Sequence, residues 1–150
     1  MPIRQQLLDQ IRASLGQAVS PSLTLSSDAC DLFEGFVFSL VIGAARNEGG
    51  SVTYRNVNGQ TPTTFFFRTS PGVIWSRRHP YSHALIQFPD KPRLEAHLGV
   101  RVTGKSKVAH ECDVLVLLTT EATRCRQNSI FPNYSKVQIS AECKFYQTSS

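Results

Sequence analysis

The apolar positions Ile3, Leu7, Leu8, Ile11, Leu15 and Val19 recur at three- and four-residue spacing, which predicts an amphipathic helix over 2–19 ended by Ser20-Pro21. After a Ser/Thr-rich break over 22–27, Ser27 or Asp28 can cap a second helix by accepting its unpaired N–H groups. Ala29, Leu32, Phe33, Phe36, Val37, Leu40, Val41 and Ala44 form a wide apolar stripe, so this helix, over 28–47, is expected in the core, with Gly49-Gly50 as its stop. Glu34 sits beside the stripe, either facing solvent or aimed into a cleft.

Beyond Gly50 the period changes to two. Strand-like runs occupy 51–57, 63–69, 73–75 and 83–88, separated by Asn58-Gly59, Ser70-Pro71-Gly72 and Pro89-Asp90 turns. Leu94, Ala96, Leu98, Val100 and Val102 alternate with Glu95, His97, Gly99 and Arg101, and a further strand over 108–118 should pair with them as a hairpin. A short helical turn is expected over 121–127 and a loop over 128–135. The last alternating run, 136–146, sets Val137, Ile139, Ala141, Cys143 and Phe145 on one face and Gln138, Ser140, Glu142 and Lys144 on the other. The pattern describes one α+β domain over 1–150: an N-terminal helix (1–19), a core helix (28–47), a β-rich segment (49–93) and a final group of strands (94–146).

Composition fits such a domain. With 150 residues and 41% hydrophobic content the chain can bury a core, and no apolar run approaches the roughly 20 residues of a membrane-spanning helix. The start lacks the features of a secretory signal, and a cytoplasmic location is expected, where Cys30, Cys112, Cys125 and Cys143 stay reduced. The net charge of +5 is uneven: between Arg46 and Lys107 ten Lys/Arg face three acids, a local balance of +7. A basic stretch of this kind suits a polyanion, because neutralised phosphates release counterions, or it is simply a solvated basic face.

Two stretches interrupt apolar strands with ionisable groups, His110-Glu111-Cys112-Asp113 and Glu142-Cys143-Lys144. On alternation Glu111 and Asp113 share one face and Glu142 and Lys144 another, while His110 points away. If the two faces coincide, carboxylates and one ammonium converge; such acids repel unless a divalent cation lies among them, and Mg²⁺ accepts hard oxygen ligands of this kind. A bound cation can polarise a phosphoryl oxygen and activate water.

Asp113 on one strand followed by Glu142-Cys143-Lys144 on another, after a capped helix and a hairpin, resembles the PD-(D/E)xK nuclease superfamily. The resemblance implies a restriction endonuclease-like core, a helix followed by a mixed or antiparallel sheet, here with 49–93 inserted. It assigns Asp113 and Glu142 as ligands of Mg²⁺ or Mn²⁺, the main-chain carbonyl of Cys143 as a further ligand, Lys144 as the catalytic lysine and Glu34 as the acid of the first core helix. Glu111 joins them as an outer or second-metal ligand. The implied activity is hydrolysis of DNA phosphodiester bonds, with Arg77, Arg78, Lys105 and Lys107 available to the backbone. The family's core continues after E-x-K with a helix and a strand, whereas the sequence ends six residues after Lys144. It is therefore expected to be a piece of a longer protein, or a core completed by a second copy or another partner or left incomplete.

A second reading is a nuclease-like fold that binds nucleic acid or protein without cutting, using Arg77-Arg78-His79 beside Trp75 and Tyr81. A zinc site from His110, Cys112, Cys125 and Cys143 lacks the paired spacing of a knuckle. The Gly-x-Ser-x-Gly elbow and the Gly-x-x-x-x-Gly-Lys-[Ser/Thr] loop are both missing from the sequence.

Overall fold

A computed structural model describes residues 3–144. Helix α1 spans Ile3–Leu15 and helix α2 Ala29–Asn47. The Asp28 carboxylate caps α2 by accepting the Cys30 N–H at 2.9 Å. At the other end of α1, the Arg46 guanidinium donates to the Ser14 and Leu15 carbonyls, and the Tyr54 hydroxyl donates to Leu15 at 2.6 Å. A cation on these terminal carbonyls satisfies groups the helix leaves unpaired and locks α1 against α2.

Strands β2 (Ser51–Asn56), β4 (Ser82–Gln87), β5 (Leu94–Thr103), β6 (Ala109–Leu118) and β7 (Val137–Ala141) form one antiparallel sheet in the order β2-β4-β5-β6-β7. Parallel pairing occurs separately, between the two-residue strands β1 (Ser20–Pro21) and β3 (Thr64–Phe65). The fold is thus mixed α and β. Helix α3, Thr119–Asn128, follows β6. Among the described residues no helix is long and apolar enough to cross a membrane.

One core lies between the sheet and α1 and α2, built on Leu8, Ile11, Leu32, Phe38, Ile42, Ile86 and Val116. A smaller one lies under α3, with Val100, Val102, Leu115, Leu117, Ala122 and Cys125. Leu98 and Val114 belong to the first core, yet Val100 belongs to the second and Cys112 packs against it. The two strands therefore exchange faces between the Leu98–Val114 and Val100–Cys112 pairs, and Gly99 between them has φ +60°. A glycine adopts that backbone without the Cβ penalty of other residues.

Several sequence expectations need correcting. The face of α2 that is buried carries Leu32, Gly35, Phe38, Ser39, Ile42 and Ala45, whereas Leu40 of the expected stripe is 48% exposed. The helix is apolar on nearly every side, so periodicity alone does not orient it. Gly35 lets the segment before α2 and helix α1 approach, since a Cβ there would fall 2.6 Å from Leu23 Cδ1 and 3.2 Å from Ile11 Cδ1. Of the run 63–69 only Thr64–Phe65 is strand, because the Phe66 and Phe67 N–H groups donate to the Ser82 and Ser22 hydroxyls and not to a ladder. The run 73–75 is loop beside an isolated Gly72–Val100 bridge. Strand β7 ends at Ala141, so Glu142, Cys143 and Lys144 follow the strand and do not lie within it; Phe145 and Tyr146 lie outside the described residues.

Candidate functional site

The exchange of faces at Gly99 decides where Asp113 goes. Continued alternation from Val114 and Val116 would put Asp113 on the α3 side; instead it lies close enough to Glu34 of α2 to perturb it electrostatically. Burial and then the charges of Asp113, Asp31 and Glu111 push the Glu34 carboxyl up to about 7. Glu111 is raised too, first by its partial burial and then by Asp113, with which it shares a hydrogen bond. The Asp113 carboxylate accepts the backbone N–H of Cys143 at 2.7 Å, so the segment after β7 is tied to the same place. Burial, followed by the charges of Asp113 and Glu34, pushes the Cys143 thiol up to about 11; this thiol is not a nucleophile at neutral pH.

Glu34, Glu111 and Asp113 thus act on one another electrostatically from α2 and β6, and Asp113 reaches the main chain of Cys143 after β7, but the three carboxylates do not bring ligand atoms within 4.8 Å of one another as a set. Burial is the first cause of the raised Glu34 and Glu111 carboxyls, and the repulsion from Asp113 that adds to it is what a divalent cation would relieve. Glu142 and Lys144 are held differently. They pair with each other at 3.5 Å on the surface, with side chains 76% and 60% exposed.

The basic candidates are all exposed. Arg77 donates to Asn58 Oδ1 at 2.8 Å. Lys105 and Lys107 sit in the β5–β6 turn, Lys107 at φ +65°. The nearby aromatics are engaged internally: Trp75 packs edge-on against Phe131, and Tyr81 stacks on His79 and lies under Arg68. Cys125 and Cys143 belong to opposite cores, which removes the shared zinc centre considered from sequence.

A second cluster, not anticipated from the sequence, lies on the α3 side. His83 of β4 and Glu95 and His97 of β5 bring three ligand atoms within 4.8 Å of one another, all three residues buried. Two imidazoles and a carboxylate can coordinate a divalent metal. Burial, then the neighbouring His97, pushes His83 down to about 3, and burial lowers His97 as well, so both rings are neutral.

Glu95 already has partners. Arg126 of α3 donates to both its oxygens at 2.8 Å, and His97 Nε2 lies 2.8 Å from Oε1, where only the ring nitrogen can donate to a carboxylate. Burial alone would raise the Glu95 carboxyl; the hydrogen bonds from Arg126 and His97 overrule it and hold it well below the usual range. A cation entering here would have to displace Arg126 and shift the His97 proton to Nδ1. The signal for this cluster was the Glu95-x-His97 pair, which alternation had assigned to a polar face that proves to be buried.

Comparison of the chain with protein-family models, with curated proteins and with solved structures returns no match.

Proposed function

We propose that this domain hydrolyses phosphodiester bonds of DNA with Mg²⁺ or Mn²⁺ held by Asp113, Glu34 and Glu111. What supports this reading is that Asp113 of β6 acts electrostatically on Glu34 of α2 and on Glu111 and also accepts the Cys143 N–H, so part of the site implied by the PD-(D/E)xK resemblance is drawn together. In this reading Asp113 is the central ligand and the Cys143 carbonyl and Glu142 complete the shell. Lys144, released from its surface pair with Glu142, stabilises the attacking water or the developing charge. The cation supplies Lewis-acid polarisation of the phosphoryl oxygen and a more acidic water. The chain's own part is to hold that cation between a helix and a sheet, among acids whose repulsion the cation offsets.

The test is nicking of supercoiled plasmid by the full chain in Mn²⁺ and in Mg²⁺. Cleavage is expected from the wild type and lost in Asp113→Ala and Lys144→Ala that fold normally by circular dichroism. Cleavage undiminished in Asp113→Ala overturns the assignment. Duplex binding without cleavage in either metal supports the non-cutting module, to which the exposed Glu142–Lys144 pairing already lends weight.

A further inference from the structure

On the face of the sheet opposite Asp113, the seam between β2 and α3 carries two adjoining cavities. One, of about 210 Å³, is lined by Arg55, Arg93 and Arg126 together with His83, Glu95 and Thr119. The next, of about 260 Å³, is lined by Arg77 and Arg126 with Asn58, Thr123 and Gln127. Val57, Gly59 and Arg126 belong to both, so the cavities are continuous neighbours along one seam. The first has room for roughly seven waters at about 30 Å³ each.

Four guanidinium groups here face one carboxylate, and that carboxylate, Glu95, is taken by Arg126. Arg55 donates to the neutral Tyr54 carbonyl and Arg77 to the neutral Asn58 side chain. The Arg93 side chain makes no hydrogen bond or ion pair among the described residues, and neither Arg55 nor Arg77 has an acidic partner among them. Like charges gathered around a hollow repel one another unless an anion enters. Thr119 adds a second observation: its buried Oγ1 has no hydrogen-bond partner, and the residue lines the first cavity.

We infer that this seam is a phosphate-binding site on the other face of the sheet from Glu34 and Asp113, in which Arg55 and Arg93 hold one phosphate and Arg77 a second, with Arg126 between them. Planar guanidinium forks match the paired oxygens of phosphate, and adjoining cavities fit phosphates in series. Arg126 is a positioning residue as well, because its contact with Glu95 fixes the common wall. The site needs no divalent cation, so it stands or falls separately from the proposed hydrolysis.

The experiment uses the full chain in EDTA, with the Arg55→Gln/Arg93→Gln double variant and its Lys/Lys counterpart as charge-retaining control. A fluorescein-labelled DNA duplex is followed by anisotropy across a salt series, and orthophosphate by its effect on melting temperature. The double Gln variant is expected to bind the duplex about tenfold more weakly, with a log–log salt slope shallower by about 2, while the Lys/Lys protein stays nearer the wild type. Stabilisation by orthophosphate should disappear in the same variant. A change in the duplex arm alone assigns the site to a nucleic-acid backbone, and a change in the orthophosphate arm alone to a small phosphate. If a normally folded Gln/Gln protein matches the wild type in both arms, the inference is wrong.

Discussion

The carboxylate of Asp113 accepts the backbone N–H of Cys143 at 2.7 Å across thirty positions of sequence. One side chain thereby joins β6 to the segment that carries Glu142 and Lys144. Asp113→Ala should free that segment: the Cys143 amide is expected to exchange with solvent at least tenfold faster by NMR, since a bond to a charged acceptor contributes about 1.5–3 kcal/mol. Asp113→Asn, which keeps an acceptor, should preserve most of the protection. Equal exchange in wild type and Asp113→Ala would show that the contact does not hold the segment.

Glu34 carries a pH signature. Its folded carboxyl titrates at about 7 against an ordinary 4.5, so between those values the folded protein holds more proton than the unfolded one. This group's contribution to stability is therefore full below pH 4.5 and is lost as pH rises through 7. Glu34→Gln should stabilise the protein at pH 8 by about 1 kcal/mol, discounted for partial exposure, and change little at pH 4.5. Thermal melts at the two values read this directly; Mn²⁺ at pH 8 should raise the wild-type melting temperature more than that of the variant.

Buried Glu95 depends on Arg126. Removing the guanidinium leaves an uncompensated charge, so Arg126→Ala should cost about 3–5 kcal/mol, a fall of about 10 °C in melting temperature. Adding Glu95→Gln should recover part of that loss. An additive double variant would mean that the pair contributes nothing to stability.

The same cluster makes the fold sensitive to acid. His83 titrates at about 3 when folded against 6.5 when free, so below pH 6.5 the unfolded chain takes a proton that the folded one refuses. Stability should fall as pH drops from 6.5 toward 3, and His83→Gln should flatten that slope in urea titrations. Cobalt separates the structural role of the cluster from metal binding: Arg126→Ala removes the guanidinium from both Glu95 oxygens, leaving only the His97 contact, and should acquire Co²⁺ ligand-field absorption at concentrations where the wild type shows none. Equal absorption in both would make His83, Glu95 and His97 a metal site with Arg126 in place.

Gly99 tests the exchange of faces. An Ala there meets only ordinary contacts, the nearest at 3.5 Å, but must hold φ +60°. Gly99→Ala should destabilise by about 1–2 kcal/mol through the backbone alone and weaken Mn²⁺ binding as Asp113 shifts relative to Glu34.

Much of this arrangement was legible where local chemistry dictates it. The Asp28 cap and the Gly49-Gly50 stop delimit α2 to within a residue, and the β5–β6 hairpin follows from the alternation of its strands, although their exchange of faces at Gly99 does not. Glu111 and Asp113 share a face on strand alternation, whereas Glu34 is linked to them only through the family resemblance, because no local pattern sets α2 beside β6. Strand β7 was overestimated because apolar residues alternate through Phe145, while pairing with β6 reaches only Val114–Ala141 before the Asp113 side chain takes over the Cys143 N–H. Only the Glu95-x-His97 pair of the His83–Glu95–His97–Arg126 network shows in the sequence, because His83 and Arg126 come from β4 and α3 and no local pattern joins them to it.

The most direct test is calorimetric titration of Mn²⁺ into the wild type, Asp113→Asn and His83→Gln. The carboxylate site predicts saturable binding that is lost in Asp113→Asn and retained in His83→Gln. Binding unchanged in a folded Asp113→Asn protein would contradict it.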